Sequence, residues 1–465
     1  MDMKKNLWNK YDDAQLKELH ELNEKYKECL NECKTERESI AFSVKMAEEA
    51  GYKNIKDVIA EGRELKAGDK VYSVCMKKSI VLFQIGKEPI SHGMNILGAN
   101  VDSPRLDIKR NPLYESDGLG YLDTHYYGGI KKYQWVTEPL ALHGVIAKKD
   151  GSVVNVNIGE DENDPVFVVT DLLVHLGGAQ LEKPAATVVE GENLDILIAS
   201  RPLDKTELKE DQKDAVKQNV LKLLKEKYDM EELDFQSAEL EIVPAGKARD
   251  CGLDRSMILS YGHDDRICAF PSLFAMLEVE NPERTSCCLL VDKEEIGSMG
   301  ATGMQSRHFE NMVAEIVALT EGDSNVKTRR ALQNSKMLSS DVSSCYDPLY
   351  AEYFTRRSTA TIGFGITFNK HTGSKGKNGS NDANAEYLAE LRRIMDDANV
   401  GYQLVEYGKV DVGGSGTIAY ISANYGMQVI DCGVAVLNMH APYEVGSKAD
   451  IYEAYRAYKA FLKNA

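Results

Sequence analysis

Two glutamates, Glu294 and Glu295, stand side by side where an apolar run, Cys287 to Val291, gives way to a glycine-rich loop. Adjacent carboxylates at the end of a buried strand repel each other unless a positive charge compensates them. Neighbouring side chains on an extended segment point to opposite sides, so one glutamate would bind a metal ion while the other reaches a water molecule as general base. The pair predicts metal-assisted hydrolysis, against the simpler interpretation of a solvated acidic turn.

Other residues of metal-binding type follow predicted strands elsewhere in the chain. Asp102 follows ILGANV, Asp264 and Asp265 follow MILSYGH, Asp341 ends MLSSD, and His440 follows VAVLNM. A single acidic residue at a strand end is usually a loop cap, but ligands of open α/β sheets bind beyond the carboxyl ends of strands. Together with the glutamate pair, these places in one sheet predict a centre of two divalent cations, about 3.5–4 Å apart, that activates water.

The elements that would carry these residues alternate between strand and helix. From residue 240 onward, strand-like runs such as CCLLVD and MQVID are separated by helical patterns, which predicts a doubly wound α/β sheet. Strands at 80–85 and 96–101 are expected to be neighbours in that sheet. Outside the region 106–244, helical patterns lie at 12–33, 38–50, 267–278, 309–319, 383–397 and 450–462.

The region 106–244 has a different pattern. Short alternating runs, with a hairpin turn at Asp150, predict a β-rich domain that a charged helical stretch at 205–228 interrupts. A chain of 465 residues also exceeds what one hydrophobic core usually organises. We therefore expect a catalytic domain in two parts, 1–105 and 245–465, with the β-rich domain inserted between them.

Composition limits the classes of partner. Acidic residues number 73 against 56 basic ones, and the net charge of −17 argues against nucleic acid or an anionic membrane as a partner. The charged N-terminal sequence lacks a signal-peptide pattern, and no apolar run approaches the ~20 residues of a membrane-spanning helix. The nine dispersed cysteines are typical of reduced core residues, so a cytoplasmic protein is expected.

Seven motifs along the chain point to a family. They are DSPRLDIK, YGGIKKYQW, YGHDDRICAF, DKEEIGSMGATGMQS, SSDVSS, GSNDANAEY and NMHAPYE. With these motifs, in the family's order, the sequence resembles the aspartyl aminopeptidases, which are co-catalytic zinc metallopeptidases, and in particular their bacterial members. The resemblance covers nearly the whole chain.

This resemblance implies a fold and a set of metal ligands. The fold is an α/β one: a three-layer α/β/α sandwich around a mixed sheet, with the inserted β-rich region as a dimerisation domain. Asp264 would bridge two divalent ions, zinc above all, with manganese or cobalt as alternatives. Glu295 and His440 would complete one site, Asp341 would contribute to the other, and Glu294 would be the general base.

The resemblance also implies roles outside the metal ligands. Asp102 would be an orienting carboxylate, and His175 in LLVHLGG would approach the active site of a neighbouring subunit in a dodecamer built from dimers. The substrates would be peptides with N-terminal Asp or Glu, whose side chain we expect Lys377 to meet, although its loop could also be simply solvated. Gly414, in GGSGTIA, is interpreted as part of a tight turn beside the substrate.

One position departs from the family pattern. Where the family has histidine two residues before the Asp of DSP, this chain has Asn100. An amide oxygen is a weaker donor for zinc than imidazole, and it suits magnesium, calcium or manganese better. His92 would lie at the far end of the strand, whereas His263, next to Asp264, either helps hold the second metal or points away from it.

The predicted function is metal-dependent removal of N-terminal, preferably acidic, residues from peptides. The alternative is a catalytically weakened homologue that binds peptides or metal as an oligomer without rapid turnover, and Asn100 motivates it. A dinucleotide oxidoreductase is a third interpretation, but it depends on the glycine spacing of GGSGTIA, after which too little chain follows for that fold.

Overall fold

The computed structural model describes residues 6–208, 213–414 and 416–465. Its α-helices are α1 (Asp13–Glu32), α2 (Glu36–Glu49), α3 (Ile55–Ala60), α4 (Gly178–Leu181), α5 (Ala215–Tyr228), α6 (His263–Glu278), α7 (His308–Glu321), α8 (Asn325–Gln333), α9 (Ala385–Asp397), α10 (Ala419–Ala423) and α11 (Lys448–Asn464). Its strands are β1 (Lys53–Asn54), β2 (Lys70–Cys75), β3 (Ser79–Gln84), β4 (Met94–Asn100), β5 (Arg105–Ser116), β6 (Leu119–Tyr127), β7 (Leu140–Ala147), β8 (Val153–Ile158), β9 (Val168–Val169), β10 (Ile196–Ala199), β11 (Ala238–Pro244), β12 (Arg249–Cys251), β13 (Met257–Ser260), β14 (Thr285–Val291), β15 (Lys336–Ser340), β16 (Ser343–Ser344), β17 (Ile366–Asn369), β18 (Tyr402–Val405), β19 (Gln428–Gly433), β20 (Ala435–Leu437) and β21 (Glu444–Ser447).

A nine-stranded mixed sheet belongs to the first compact unit, which comprises Met1–Asp102, Ala248–Met439 and Glu444–Ala465. The strand order is β1-β2-β3-β14-β4-β15-β19-β17-β18. Strands β14, β4, β15 and β19 run parallel, whereas β3 and β17 pair antiparallel with β14 and β19. Because parallel neighbours end at one edge, the loops that follow them converge.

The predicted pairing of the strands at 80–85 and 96–101 is wrong. Strand β14 lies between β3 and β4, antiparallel to the first and parallel to the second. Strands that follow each other in sequence are neighbours only about two-thirds of the time. All residues of β14 are buried, and such an apolar strand is stabilised most in the interior of a sheet.

Helices cover both faces of this sheet. Cys287, Leu289 and Val291 face one core, and Cys288 and Leu290 face the other, because successive residues of a strand point to opposite sides. Helices α1, α2, α6, α9 and α11 contribute to the core of Cys288. Helices α3, α7, α8 and α10 contribute to the core of Cys287. This three-layer α/β/α arrangement confirms the predicted fold class.

A five-stranded sheet in the same unit has the order β12-β13-β21-β20-β16. Strands β13 and β20, which precede Asp264 and His440 in the chain, belong to it. The prediction that all the strand-end residues share one sheet is therefore wrong. The alternation of apolar residues within a strand predicts which face is buried, but it contains no information about which sheet the strand joins.

The second unit comprises Ser103–Lys247 and His440–Tyr443 and is rich in β-structure. Its sheet is antiparallel, with the order β8-β7-β11-β5-β6-β10-β9. The predicted hairpin joins β7 to β8, and Gly151 in its turn has a φ of +89°. Helix α5 begins at Ala215 rather than at residue 205, and residues 209–212 of the predicted helical stretch lie outside the described residues.

Within the described ranges, no helix has both the length and the apolarity that crossing a bilayer requires. The nine cysteines are free, and all except Cys75 and Cys251 are buried, as predicted for reduced core residues. The cytoplasmic location stays a prediction.

Candidate metal centre

Three parallel strands bring acidic loops to one edge of the nine-stranded sheet. Strands β14 and β4 are in register up to Val291 and Asn100, and β15 pairs with the other side of β4. Glu294, Asp102 and Asp341 follow these strands in the chain. The parallel pairing therefore places three loops from distant parts of the sequence side by side.

Asp102 holds the loop that carries the two glutamates. It is fully buried, and its Oδ1 and Oδ2 accept hydrogen bonds from the backbone N–H groups of Glu294 (3.1 Å) and Glu295 (3.2 Å). The glutamates open a short 3-10 helix after Lys293, which has a φ of +68°. The predicted extended conformation is therefore wrong. At about three residues per turn, the two side chains still point in different directions, about 120° apart.

Asp264 and Asp265 lie at the start of α6, and backbone contacts fix both. The N–H of Asp264 donates to Oε2 of the buried Glu444 (3.0 Å), and the N–H of Asn100 donates to Oδ2 of Asp265 (3.3 Å). The peptide bond between the two aspartates is cis. Their exposed fractions are 3% and 0%, so both carboxylates are shielded from water.

Asp264 belongs to two groups of carboxylates. One carboxylate oxygen from each of Asp264, Asp265 and Asp341 lies within 4.8 Å of the other two, and oxygens of Asp264 and Glu295 also lie within 4.8 Å of each other. Oδ1 of Asp265 is buried and has no nitrogen or hydroxyl donor among the described residues, although the Cys268 thiol, a weak donor, interacts with this carboxyl. Sequence reasoning assigns no ligand role to Asp265, because an adjacent pair does not show which member faces a common centre.

The cluster concentrates negative charge in a buried place. Burial raises the pKa of the Glu295, Asp265 and Asp341 carboxyls well above their usual range. Neighbouring carboxylates raise the pKa further, with Asp264 acting on Glu295 and Asp265, and Glu294 acting on Asp341. Divalent cations would reverse this repulsion and keep the groups ionised. The converging oxygens, including Oδ1 of Asp265, therefore fit metal ions.

His440 follows β20 and lies in the segment 440–443 of the second unit. Its Nδ1 forms a hydrogen bond with the backbone carbonyl of Gly129 (2.8 Å). A carbonyl oxygen can only accept, so Nδ1 carries the proton and Nε2 has the lone pair that a metal ion needs. This tautomer suits the predicted ligand role of His440, which stays a prediction.

Asn100 stands where the family resemblance predicts a ligand histidine. It is buried, and its Nδ2 donates to the backbone carbonyl (3.2 Å) and to Oδ1 (3.3 Å) of Asp102. Since its backbone N–H binds Asp265, Asn100 holds two aspartates in place. Metal ligation by its own amide oxygen stays a prediction.

His263 points away from the carboxylates, which decides between its two predicted alternatives. Its Nε2 donates to the carbonyl of Ile258 (3.1 Å), so Nδ1 accepts from the hydroxyl of Tyr26 (2.9 Å). Burial lowers the pKa of the imidazole to about 4, so the ring is neutral. With both ring nitrogens engaged, His263 does not replace the missing ligand. His92 is exposed and precedes β4, at the opposite end of the strand from Asn100.

Two predicted substrate-binding residues lie on loops that contact each other. Lys377 is half-exposed, and its Nζ pairs with Oδ2 of Asp382 (3.1 Å). Gly414 has a φ of +145°, and a Cβ there would lie 2.4 Å from the backbone of Ser374, so this contact requires glycine. The loop of Lys377 and the glycine-rich loop therefore pack together.

His175 lies on an exposed 3-10 turn, Val174–Leu176, in the second unit. Its neighbours are apolar and equally exposed: Leu173 is 54%, Val174 72% and Leu176 69% exposed. The turn is far more apolar than a solvated loop usually is.

Two further residues escape sequence reasoning. Glu444, the last residue of NMHAPYE, fixes the backbone of Asp264. Tyr407 donates to Sδ of Met439 (3.1 Å), and its pKa is raised by burial and then by the charges of Asp264 and Asp341. Neither position has a signal of its own, since a backbone acceptor and a tyrosine near a turn are common in loops.

Proteins of one family are similar to this chain over nearly its whole length. The family described as "Aminopeptidase I zinc metalloprotease (M18)" matches residues 29–462. The "Probable M18 family aminopeptidase 1" of Clostridium acetobutylicum is 60% identical over 460 residues, which are 99% of this chain and 98% of that protein. The crystal structure of aminopeptidase I from Clostridium acetobutylicum has a TM-score of 0.93 at 57% identity, and that of an M18 family aminopeptidase from Thermotoga maritima has 0.94 at 38% identity, each covering 100% of both chains.

Proposed function

The chain belongs to the M18 family of zinc aminopeptidases, and we propose that it removes N-terminal residues, preferably Asp or Glu, at a centre of two metal ions. It is a metallo-aminopeptidase.

The observation that carries the proposal is the membership of Asp264 in two groups of ligands. Its carboxylate lies within 4.8 Å of an oxygen of Glu295 and, in the other group, of an oxygen of Asp341. Asp264 would be shared between the two ions, Glu295 and His440 would hold one of them, and Asp341 would hold the other. Imidazole and carboxylate together form a usual donor set for zinc.

The ions would polarise the scissile carbonyl and lower the pKa of a water molecule. Glu294 accepts a proton from the water molecule as the water oxygen bonds to the carbonyl carbon, and it delivers that proton to the amine nitrogen as the peptide C–N bond breaks. Asp102 acts through the backbone, because its two oxygens hold the N–H groups of Glu294 and Glu295. It thereby fixes the general base relative to a metal ligand.

The acidic preference is assigned to Lys377. Its ammonium already pairs with a carboxylate, that of Asp382, on a half-exposed loop. An Asp or Glu side chain of the substrate would take the place of Asp382, because exchange of one carboxylate for another preserves the ion pair. The contact between Gly414 and Ser374 would hold this loop against the glycine-rich turn.

A homo-oligomer would explain the exposed apolar turn at His175. Adjacent exposed apolar residues mark interaction sites, and burial of Leu173, Val174 and Leu176 against a second copy would carry His175 toward the neighbouring subunit. Light scattering of wild type and Leu176→Asp tests this proposal. A mass that the substitution does not reduce would contradict it, and the number of subunits, twelve by resemblance, stays a prediction.

Aminoacyl chromogenic substrates, tested on metal-free enzyme with added zinc, manganese or cobalt, test the function directly. We expect restored cleavage, fastest for Asp and Glu substrates, and two ions per chain by elemental analysis. Restored cleavage with one ion per chain would contradict the two-ion centre. Absence of turnover with every metal would favour the alternative of a peptide- or metal-binding homologue.

A further inference from the structure

We propose that Asp265 is a ligand of the second metal ion and that oxygen donors alone hold this ion. The inference rests on the proposed two-ion centre and adds a ligand and a metal preference to it. Its group is Asp264, Asp265 and Asp341, with Asp264 shared between the ions. The other ion would have the imidazole of His440 among its ligands.

Asp265 is buried and lies close to two other carboxylates. A carboxylate oxygen of this residue lies within 4.8 Å of oxygens from both Asp264 and Asp341, which is the spacing of ligands around one cation. The side chain is 0% exposed, so water does not solvate its charge. Desolvated carboxylates are stable as ions only when a cation or hydrogen-bond donors compensate them.

The two carboxylate oxygens of Asp265 differ in their hydrogen bonds. Oδ2 accepts the backbone N–H of Asn100 (3.3 Å), a contact that orients the carboxylate. Oδ1 is buried and has no nitrogen or hydroxyl donor among the described residues, although the Cys268 thiol, a weak donor, interacts with this carboxyl. One oxygen anchored by the backbone and one without a strong donor form the pattern of a metal-binding carboxylate, since a ligand is itself held by further hydrogen bonds.

The side-chain nitrogens of His263 and Asn100, which lie next to this group in the sequence or in the structure, bind other partners. Both ring nitrogens of His263 are engaged, by Tyr26 and by Ile258. The amide nitrogen of Asn100 is bound to Asp102. The side chains around this group therefore offer oxygen rather than nitrogen, and Asp265 supplies the negative charge that the neutral Asn100 does not.

A group of oxygen ligands alone favours some metal ions over others. Carboxylate and carbonyl ligands suit manganese and magnesium, whereas zinc is bound best when imidazole or thiolate is present. The two ions of this enzyme should therefore differ, with zinc at the site of His440 and manganese favoured at the site of Asp265.

Metal binding to the full-length protein tests the inference without an activity assay. Metal-free wild type and Asp265→Asn are titrated calorimetrically with zinc and then with manganese, and elemental analysis after dialysis gives the stoichiometry. Asp431→Asn is the matched control, because Asp431 is also buried (2% exposed) with an unpartnered Oδ2, but belongs to neither carboxylate group. We expect Asp265→Asn to weaken manganese binding by ~10- to 100-fold and to retain the zinc equivalent, with Asp431→Asn like wild type.

Two results would contradict the ligand role of Asp265, and the experiment distinguishes them. If wild type binds two ions and Asp265→Asn binds manganese as tightly, the ligand role of Asp265 is wrong and the two-ion centre remains. If wild type binds fewer than two ions, the two-ion centre is wrong and this inference falls with it.

A spectroscopic measurement on wild type avoids any folding defect of the variant. Protein loaded with one equivalent of zinc and then one of manganese is examined by electron spin echo envelope modulation. We expect manganese without the modulation of a coordinated imidazole nitrogen. A strong signal from coordinated nitrogen would overturn the oxygen-only site.

Discussion

The carboxylates around Asp264 and the carboxylate of Asp382 show two opposite ways of holding the same chemical group. Lys370, the larger influence, and Lys377 bind Asp382 on an exposed loop and lower its pKa below the usual range. Around Asp264, burial and like charges raise the pKa values of the neighbouring carboxyls instead. The chain itself thus compensates Asp382, whereas the buried cluster requires positive charge from outside the chain. This difference distinguishes a metal centre from a surface ion pair more sharply than the acidic residues alone do.

The largest expected effect belongs to the general base. Glu294→Gln removes the proton acceptor without changing the shape of the side chain, so kcat should fall by about 10²- to 10⁴-fold while the metal content is unchanged. Steady-state kinetics and elemental analysis measure the two quantities. Glu283→Gln, at a glutamate whose side chain is 66% exposed, is the control. A Glu294→Gln enzyme with more than a tenth of the wild-type kcat would remove Glu294 from this role.

A smaller loss of kcat is expected when Glu294 and Glu295 are unchanged but Asp102 no longer holds their backbone. In wild type, each carboxylate oxygen of Asp102 accepts one backbone N–H. In Asp102→Asn, an amide nitrogen faces one of these N–H groups and cannot accept its hydrogen bond. The substitution should therefore lower kcat by about 10- to 100-fold and alter KM little. Asp117→Asn, on an exposed turn, is the control. Equal losses for both variants, or a change confined to KM, would show that Asp102 does not position the base.

The raised pKa values of the buried cluster make the stability of the metal-free protein depend on pH. In the metal-free protein, Glu295, Asp265 and Asp341 have a higher pKa when folded than when unfolded. Their protonation therefore stabilises the fold fully below the unfolded pKa of about 4, and this stabilisation is lost as the pH rises through the folded pKa.

Bound metal keeps these groups ionised, so the increase in Tm on adding metal should be larger near pH 7.5 than near pH 5.5. For each proton that the metal displaces, the stabilisation of the fold by metal changes by at most about 1.4 kcal/mol per pH unit. Scanning calorimetry with metal and with chelator measures the difference. Asp382→Asn should leave it unchanged, since Asp382 lies outside the cluster. The same increase in Tm at both pH values would contradict the account.

A selective and smaller effect is expected at the surface pair. Lys377→Ala should reduce the ratio of kcat/KM for Asp over neutral aminoacyl substrates by about tenfold, the contribution of one charge-assisted hydrogen bond. Lys375→Ala, in the same exposed loop, is the control. If both variants keep the wild-type ratio, the acidic side chain is recognised elsewhere.

The smallest effect on the centre is expected at His263. His263→Gln loses contacts with Tyr26 and Ile258, so the protein should become less stable by about 1–3 kcal/mol. Its metal content should nevertheless equal that of wild type. A lost metal ion would show that the imidazole reaches the centre after all.

The sequence predicts much of this arrangement because strand ends and motifs are local features. The three loops after β4, β14 and β15 could be placed at one edge from apolar runs followed by acidic residues, which identified Asp102, Glu294 and Asp341. The alternation of strands and helices likewise predicted a doubly wound α/β sheet.

Features that depend on contacts between distant segments could not be predicted in this way. The insertion of β14 between β3 and β4, and the membership of β13 in a second sheet, are decided by which strands pair. The orientation of His263 depends on Tyr26, which lies far away in the chain. Asp265 was indistinguishable from Asp264 in sequence, and only its Oδ1 without a strong donor and the spacing within the cluster set it apart.

Anomalous X-ray diffraction from crystals of the metal-loaded enzyme, recorded at the zinc and manganese edges, would show whether Asp264 is shared by two ions. We expect two peaks that share Asp264 as a ligand, one also bound by Glu295 and the other by Asp341. Well-ordered crystals in which no peak lies among these carboxylates would contradict this expectation.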